Sequence, residues 1–323
     1  MRNPFFAVAL ATTLALASSL AVAQNYPTRT VTIVVPFAAG ASSDIETRIY
    51  AQKLTESLGQ TFVADFKPGA GGTLGTAYVA KSAPDGYTLM AMSGGFNSAA
   101  SLYANLPYDA QKDFTPISLM SLRSTAILVH PATPYRNVQE YVAYAKANPG
   151  KINVSTAGAG GSPHLNAAWF HGLTGTEVTF VHYKGTATAS IDLVAGRVDV
   201  FFGTLLSALP NLKSGKVRAI AIANAQRSPL MPDLTTAQEQ GVPGFDYSSI
   251  FGIIGPARLP PPVLNRLAGE LAKIARMPDV IKRIEADGGV TVGNTPEQFR
   301  NLIATEIVRY RKIIQDNKVK LEE

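Results

Sequence analysis

From Ala126 to Ala223 the chain alternates between β-rich and helical runs without a break, and that succession closes only as sheets covered by helices on both faces. Periodicity predicts strands at Ala126–His130, Ile152–Thr156, Val178–Tyr183, Val198–Phe202 and Val217–Ala223, with helices at Val138–Ala147, Pro163–Gly172, Thr186–Ala195 and Ser207–Lys213 between them. Before this stretch it predicts strand Val31–Val35, a helix from Ser43, strand Thr61–Phe66, helix Thr73–Ala80 and strand Tyr87–Met92. After Pro243 come a β run at Tyr247–Ile254, helix Val263–Ala275, a short piece near Ile281 and helix Pro296–Asn317, capped by Thr295 and Gln298. Leu106–Asp109 and Asp113–Pro116 read as surface connections. The expected fold is α/β in two lobes, each a mainly parallel sheet flanked by helices. Residues 24–123 plus 247–323 form lobe 1 and residues 124–246 form lobe 2. Crossings near Ser121–Thr125 and Gly244–Ser248 would make a two-strand hinge.

One local device occurs twice. Val31–Val35 leads through Pro36-Phe37-Ala38-Ala39-Gly40-Ala41-Ser42-Ser43-Asp44, and Ile152–Thr156 leads through Ala157-Gly158-Ala159-Gly160-Gly161-Ser162-Pro163. In each, a small-residue loop opens a helix whose first amides have no intrahelical partner and carry partial positive charge, so each is a candidate carboxylate cradle. Ser43 and Glu46 have capping-box spacing; Ser162 is placed to cap a helix with Pro163 in its first turn. Either loop alone is equally compatible with an ordinary βα connection. A third small-residue loop, Ser93–Ser98, follows another β run, where strand ends line a ligand crevice.

Met1-Arg2-Asn3, the apolar run to Leu20 and Ala21-Val22-Ala23 have the order of a signal peptide cut after Ala23, which predicts an exported protein of about 300 residues. With no cysteine among 323 residues, disulfides, thiolate metal sites and cysteine nucleophiles are excluded, and the core alone must hold the fold. A 46% hydrophobic and 16% charged composition supplies that core. The net charge of +6 is spread without basic clusters interleaved with aromatics, so nucleic acid is not an expected partner.

Catalytic patterns fail one by one. Gly158-Ala159-Gly160-Gly161-Ser162-Pro163 has proline where a dinucleotide fingerprint needs its third glycine, and neither a phosphate-binding lysine loop nor a G-x-S-x-G elbow occurs. His130, His164, His171 and His182 never take H-E-x-x-H spacing, so no metal site, cofactor or catalytic residue is expected. His164, in the first turn after the second cradle, is either a ligand contact or a structural residue; Arg123, alone in an apolar stretch near the hinge, is either a ligand contact or a surface residue.

Val34-Val35-Pro36-Phe37-Ala38-Ala39-Gly40 through Asp44, Pro68-Gly69-Ala70-Gly71-Gly72, Pro84-Asp85-Gly86-Tyr87-Thr88-Leu89, Leu106-Pro107-Tyr108-Asp109, Asn148-Pro149-Gly150-Lys151, Tyr183-Lys184-Gly185 and Arg227-Ser228-Pro229 to Pro232-Asp233 together resemble signatures of the Bug family. These are the extracytoplasmic receptors of tripartite tricarboxylate transporters, and the resemblance covers essentially the whole mature chain. It implies a type II-like, two-lobed periplasmic binding protein, a monomer that closes on a small organic carboxylate and delivers it to membrane permease subunits. It also implies that Phe37, Ala41, Ser42, Ser43 and Asp44 of one loop and Thr156, Ala159, Gly160, Gly161, Ser162 and His164 of the other hold the first carboxyl. Ser93, Gly94, Phe96, Tyr183, Gly203 and Thr204 would surround the rest of the ligand.

Two positions depart from the family pattern: Ala41 stands where a second glycine is usual, and Gly203 where an acidic residue is common. Losing that acid removes repulsion and opens space, and with Phe37, Phe96 and Phe202 nearby the expectation is a flat or aromatic carboxylate, including an aromatic dicarboxylate. The alternatives are an adaptor presenting its ligand to a membrane sensor, and an exported enzyme acting on small acids.

Overall fold

Val31–Val35 is a β-branched run buried almost throughout, as a strand covered on both faces must be, and it forms β1 at the centre of a parallel trio with β2 (Phe62–Phe66) and β3 (Thr88–Ser93). The computed structural model describes residues 26–319 apart from Ala38, Ala41, Ala104, Lys184, Asp287 and Lys318, with only the backbone for Ser42 and Leu206. The expected signal peptide and the Ala41 contact therefore lie outside the described residues.

Strands β4 (Phe114–Arg123), β10 (Ser249–Pro256) and β11 (Gly289–Thr291) complete a six-stranded sheet in the order β11-β4-β10-β3-β1-β2. The second sheet holds β5 (Thr125–Val129), β6 (Asn153–Thr156), β7 (Thr179–His182), β8 (Val200–Thr204) and β9 (Arg218–Ile222), in the order β7-β6-β8-β5-β9. The two share one plan: β1 and β6 are each central to a parallel trio, and the next place is taken by a strand arriving from the other lobe, β10 or β5, which runs antiparallel. The expectation of mainly parallel sheets thus holds within the trios. Each sheet as a whole is mixed, because a strand entering through the hinge comes in from the opposite end.

Helices cover both faces of each sheet. In the first lobe α1 (Ser42–Leu58), α8 (Pro261–Ile274) and α9 (Pro278–Ala286) bury Tyr50, Leu54, Leu267 and Ile284, while α2 (Thr73–Ala80), α3 (Gly94–Leu102) and α10 (Pro296–Asp316) bury Val79, Phe96, Phe299 and Ile303 on the other side. In the second, α4 (Val138–Ala147) and α5 (Ser162–Thr174) pack Tyr141 and Phe170 on Phe202, and α6 (Thr186–Val194) and α7 (Leu205–Lys213) pack Leu193 and Leu205 on Phe201. Adjacent Phe201 and Phe202 face opposite ways, as the two-residue period of a strand requires. No helix among the described residues is long and apolar enough to cross a membrane.

The lobes meet at the crossing and again where helices pack across the gap. At the crossing, Asn224 ties both connecting segments: its Oδ1 accepts from Thr125 N at 2.7 Å and its Nδ2 donates to Ser248 Oγ at 2.8 Å, while Thr125 Oγ1 donates to the Tyr247 carbonyl. Elsewhere α10 spans the gap. Its first half fills the first lobe's core, and its Tyr310 and Ile313 pack with Leu165 of α5 in the second lobe.

Candidate ligand-binding site

The three small-residue segments and the Gly203-Thr204 pair sit at the carboxyl ends of parallel-trio strands, and each opens a helix: β1 into α1, β3 into α3, β6 into α5 and β8 into α7. Such strand ends are where open α/β sheets bind ligands. Ser93–Ser98, expected as a loop, is instead the start of α3, with extended Ser93 before its first residue, Gly94. Two glycines allow that helix start to approach both loops: a Cβ on Gly95 would stand 3.1 Å from Phe37 Cζ, and a Cβ on Gly94 would stand 3.0 Å from Ser162 Oγ. Phe37, the α3 start and Ser162 are thus consecutive neighbours, which brings the two loops to one region.

The loops are held by the same internal device, and it is not the one expected. In the first, Gly40 has φ of 83° and donates its amide to Asp44 Oδ2 at 2.9 Å, while Arg48 Nε donates to Asp44 Oδ1 at 2.6 Å. In the second, Gly160 has φ of 70° and donates its amide to His164 Nδ1 at 2.9 Å. A first-turn side chain therefore reaches back four residues to a left-handed glycine in both, a carboxylate in one lobe and an imidazole in the other. Such brackets fix each loop before any ligand arrives, and the remaining first-turn amides are the donors that a helix start leaves without intrahelical partners.

This overturns several single-residue expectations. The Ser43–Glu46 capping box does not form, because Glu46 turns inward to pair with Arg123; Arg123 itself, expected at the ligand or the surface, is 1% exposed. Ser162 does not cap α5; Gly161 occupies the cap position, and Ser162 Oγ lies 2.9 Å from Tyr310 Oη and 3.2 Å from Asn166 Nδ2. His164 is a brace whose Nδ1 accepts, which assigns its proton to Nε2. Burial, and then the neighbouring His182, push its pKa down to about 4, so it stays neutral at pH 7. The Asp44 carboxylate, in the first candidate cradle, pairs with Arg48.

Several other expected contact residues also make hydrogen bonds within the protein. Ser43 is buried, with its carbonyl accepting from Thr47 Oγ1 at 2.6 Å. The Thr156 hydroxyl lies 2.7 Å from His182 Nδ1, and Tyr183 Oη donates to Asp192 Oδ2 at 2.7 Å. Thr204 precedes α7 with its hydroxyl 3.0 Å from Ser207 Oγ; Ala159 is half-buried in the second loop. Phe96 packs edge-on to Phe114, and Phe202 stands among Phe170, Phe245 and His171, so both are core residues. The space expected to open at Gly203 is filled: a Cβ there would stand 2.4 Å from Phe201 Cε1.

Sequence reasoning missed Gly72 and Gly95, which touch Phe37, and the Ser162–Asn166–Tyr310 network. The glycines were visible as small residues beside a strand end. Tyr310 lies 148 residues from Ser162 and carries no local signal. Among the described residues no group of three or more His, Asp or Glu side chains is placed to hold a metal ion.

The family model described as the tripartite tricarboxylate transporter family receptor matches residues 47–319. Protein BugT of Bordetella pertussis is 32% identical over 302 residues, covering 93% of this chain and 93% of its own. A solved R. palustris protein with adipate superposes with a TM-score of 0.87 at 31% identity, covering 91% of this chain and 99% of its own. MatC from Rhodopseudomonas palustris with bound malate gives 0.83 at 32% identity, covering 90% and 100%.

Proposed function

Because the chain belongs to the tripartite tricarboxylate transporter receptor family, we propose that it is a periplasmic solute receptor that closes on a small carboxylate. It delivers that ligand, as a monomer and without breaking any of its bonds, to the membrane permease subunits of a tripartite transporter. The lobes are residues 24–123 plus 247–323 and residues 124–246, and they close about the Asn224 tie. One carboxyl lies between the α1 and α5 starts, donated to by main-chain amides of both lobes directly or through a water. Each helix start contributes about 0.3–1 kcal/mol or more toward an anion. A ligand that touches both lobes favours the shut form by its differential affinity.

The observation that carries this reading is the matched pair of braces, Asp44 to Gly40 and His164 to Gly160, at equivalent strand ends of the two sheets. It is supported by the relatives bound to adipate and malate. The aromatic preference loses two of its three supports, since Phe96 and Phe202 are core residues and only Phe37 remains beside the loops.

Calorimetric titration with adipate, malate, citrate, benzoate and phthalate tests it. At least one acid should bind with Kd of about 1 μM or tighter. The Asp44→Ala variant, which removes the brace on the Gly40 loop, should bind that acid about 10–100-fold more weakly. The ligand recovered afterwards should be chemically unchanged. No heat with any acid, or an altered acid, would reject the proposal.

A further inference from the structure

A surface cleft of about 520 Å³ lies on the first lobe, separate from the strand-end loops and lined, among the described residues, by α1 and α9 alone. That is the size of a ligand site. Its floor is apolar: Ile45 and Ile49 stand one turn apart on α1, and Val280 of α9 is buried in the lobe's core. Lys53, the last lining residue of α1, donates through Nζ to Asp279 Oδ2 of α9 at 2.7 Å, and it also pairs with Glu56 at 3.1 Å. This strut ties the two helices across the cleft.

The rest of the rim is cationic. Asp279 is the one acid among the described lining residues and is already bonded to Lys53, whereas Arg48 and Arg283 are both exposed. Arg48 is held by its Nε on Asp44 Oδ1 at 2.6 Å, and its two terminal nitrogens, on a side chain 61% exposed, are placed to take a carboxylate side by side. A free small anion would gain nothing from the apolar floor, and a flat lipid surface cannot follow a cleft. The combination fits a peptide in which acidic side chains flank a branched apolar one.

We infer that the α1–α9 cleft is the docking site for an acidic, apolar-centred peptide segment of the receptor's membrane partner. The inference rests on the receptor reading above for the partner; the chemistry of the segment comes from the cleft. Arg48 gives docking a route to the first cradle, because it pairs with Asp44, whose other oxygen braces the Gly40 amide. A partner carboxylate on Arg48 competes with Asp44, and an Asp44 less firmly paired repels an anion in the loop that it braces. Docking therefore loosens the hold on a bound acid, which is the direction unloading needs, and by linkage the acid loosens docking by the same factor.

Fluorescence anisotropy of a labelled, end-blocked peptide Glu-Glu-Leu-Glu-Glu on the intact receptor tests this. It should bind with Kd below about 1 mM, and the counterpart Gln-Gln-Leu-Gln-Gln about tenfold or more weakly. Arg283→Glu should weaken the acidic peptide about tenfold and Gln52→Glu, at an exposed rim position, about fivefold, while the same reversal at exposed Lys146 on α4 of the second lobe leaves it unchanged. Saturating peptide should lower the affinity for the tightest acid of the panel above about fivefold. If the acidic peptide binds no better than its glutamine counterpart, if both cleft variants leave it unchanged, or if free glutamate or phosphatidylglycerol vesicles compete equally, the docking site is overturned while the receptor reading stands. An acid affinity that the peptide does not change overturns the Arg48 link. If the peptide binds and no acid does, the receptor reading fails and the cleft stands as a peptide site.

Discussion

Replacing Arg123 by methionine should lower the unfolding free energy by about 3–5 kcal/mol, because the Glu46 carboxylate is left buried without its cation. Both side chains are at most 1% exposed; Arg123 Nε donates to Glu46 Oε2 at 3.0 Å, its Nη2 makes a second bond to the same oxygen, and its Nη1 reaches the Ile284 carbonyl at 3.4 Å. Solvent-facing pairs such as Arg29–Asp85 contribute about 0–1 kcal/mol, so none of them compares. Removing both charges, as in Glu46→Leu with Arg123→Met, should recover most of the loss, since an apolar pair of similar volume avoids the desolvation cost. The position matters as much as the energy. Glu46 lies in the second turn of α1, the first cradle helix, and Arg123 ends β4 immediately before the crossing into β5. The pair thus anchors the cradle helix to the hinge. Urea unfolding of the three proteins measures the effect, and a single variant within 1 kcal/mol of wild type would contradict this assignment.

Acid should destabilise the protein through two buried histidines. Burial pushes His171 down to about 3, and burial followed by His182 pushes His164 down to about 4. In the unfolded chain both return to about 6.5. At pH 7.5 neither state binds the proton, so nothing is lost. Below about 6.5 the unfolded chain takes up protons that the folded one refuses, so stability falls with pH until the folded pKa is reached. The share of His164 is complete near pH 4 and amounts to about 3 kcal/mol; the window of His171 extends lower and its share is larger. Together they approach the about 5–15 kcal/mol that a folded domain has in hand. The His164→Asn variant keeps an acceptor for Gly160 but cannot titrate, so its loss between pH 7.5 and 4.5 should be smaller by most of the His164 share. Equal losses in the two proteins would show that His164 is not the neutral brace described here.

Elements with local end signals were legible in the sequence. Helices α2 and α4 have the predicted ends; Asn137 caps α4 by accepting from Glu140 N at 2.8 Å, and Thr295 with Gln298 forms the predicted box at the start of α10. Strand β4 was read in part as a surface connection, because Pro116 and the buried Ser118 and Ser121 disguise a strand covered on both faces. Pro116 is tolerated where the register against Ile253 and Ile254 shifts. Helix α3 was hidden by Gly94 and Gly95, which are poor helix formers kept for close approach. In the site, the two loops were legible because small residues and helix starts are local facts. The side-chain roles were not: Glu46 is claimed by Arg123 77 residues away, Ser162 by Tyr310, and the braces fall to Asp44 and His164 instead.

A crystal structure of the protein with the acid that binds it most tightly tests the central claim most directly. It should show one carboxyl group between the lobes, its oxygens about 2.7–3.2 Å from first-turn amides of both α1 and α5 or from a single water that bridges to them. A carboxyl held by one lobe alone, or bound away from both helix starts, would contradict the account.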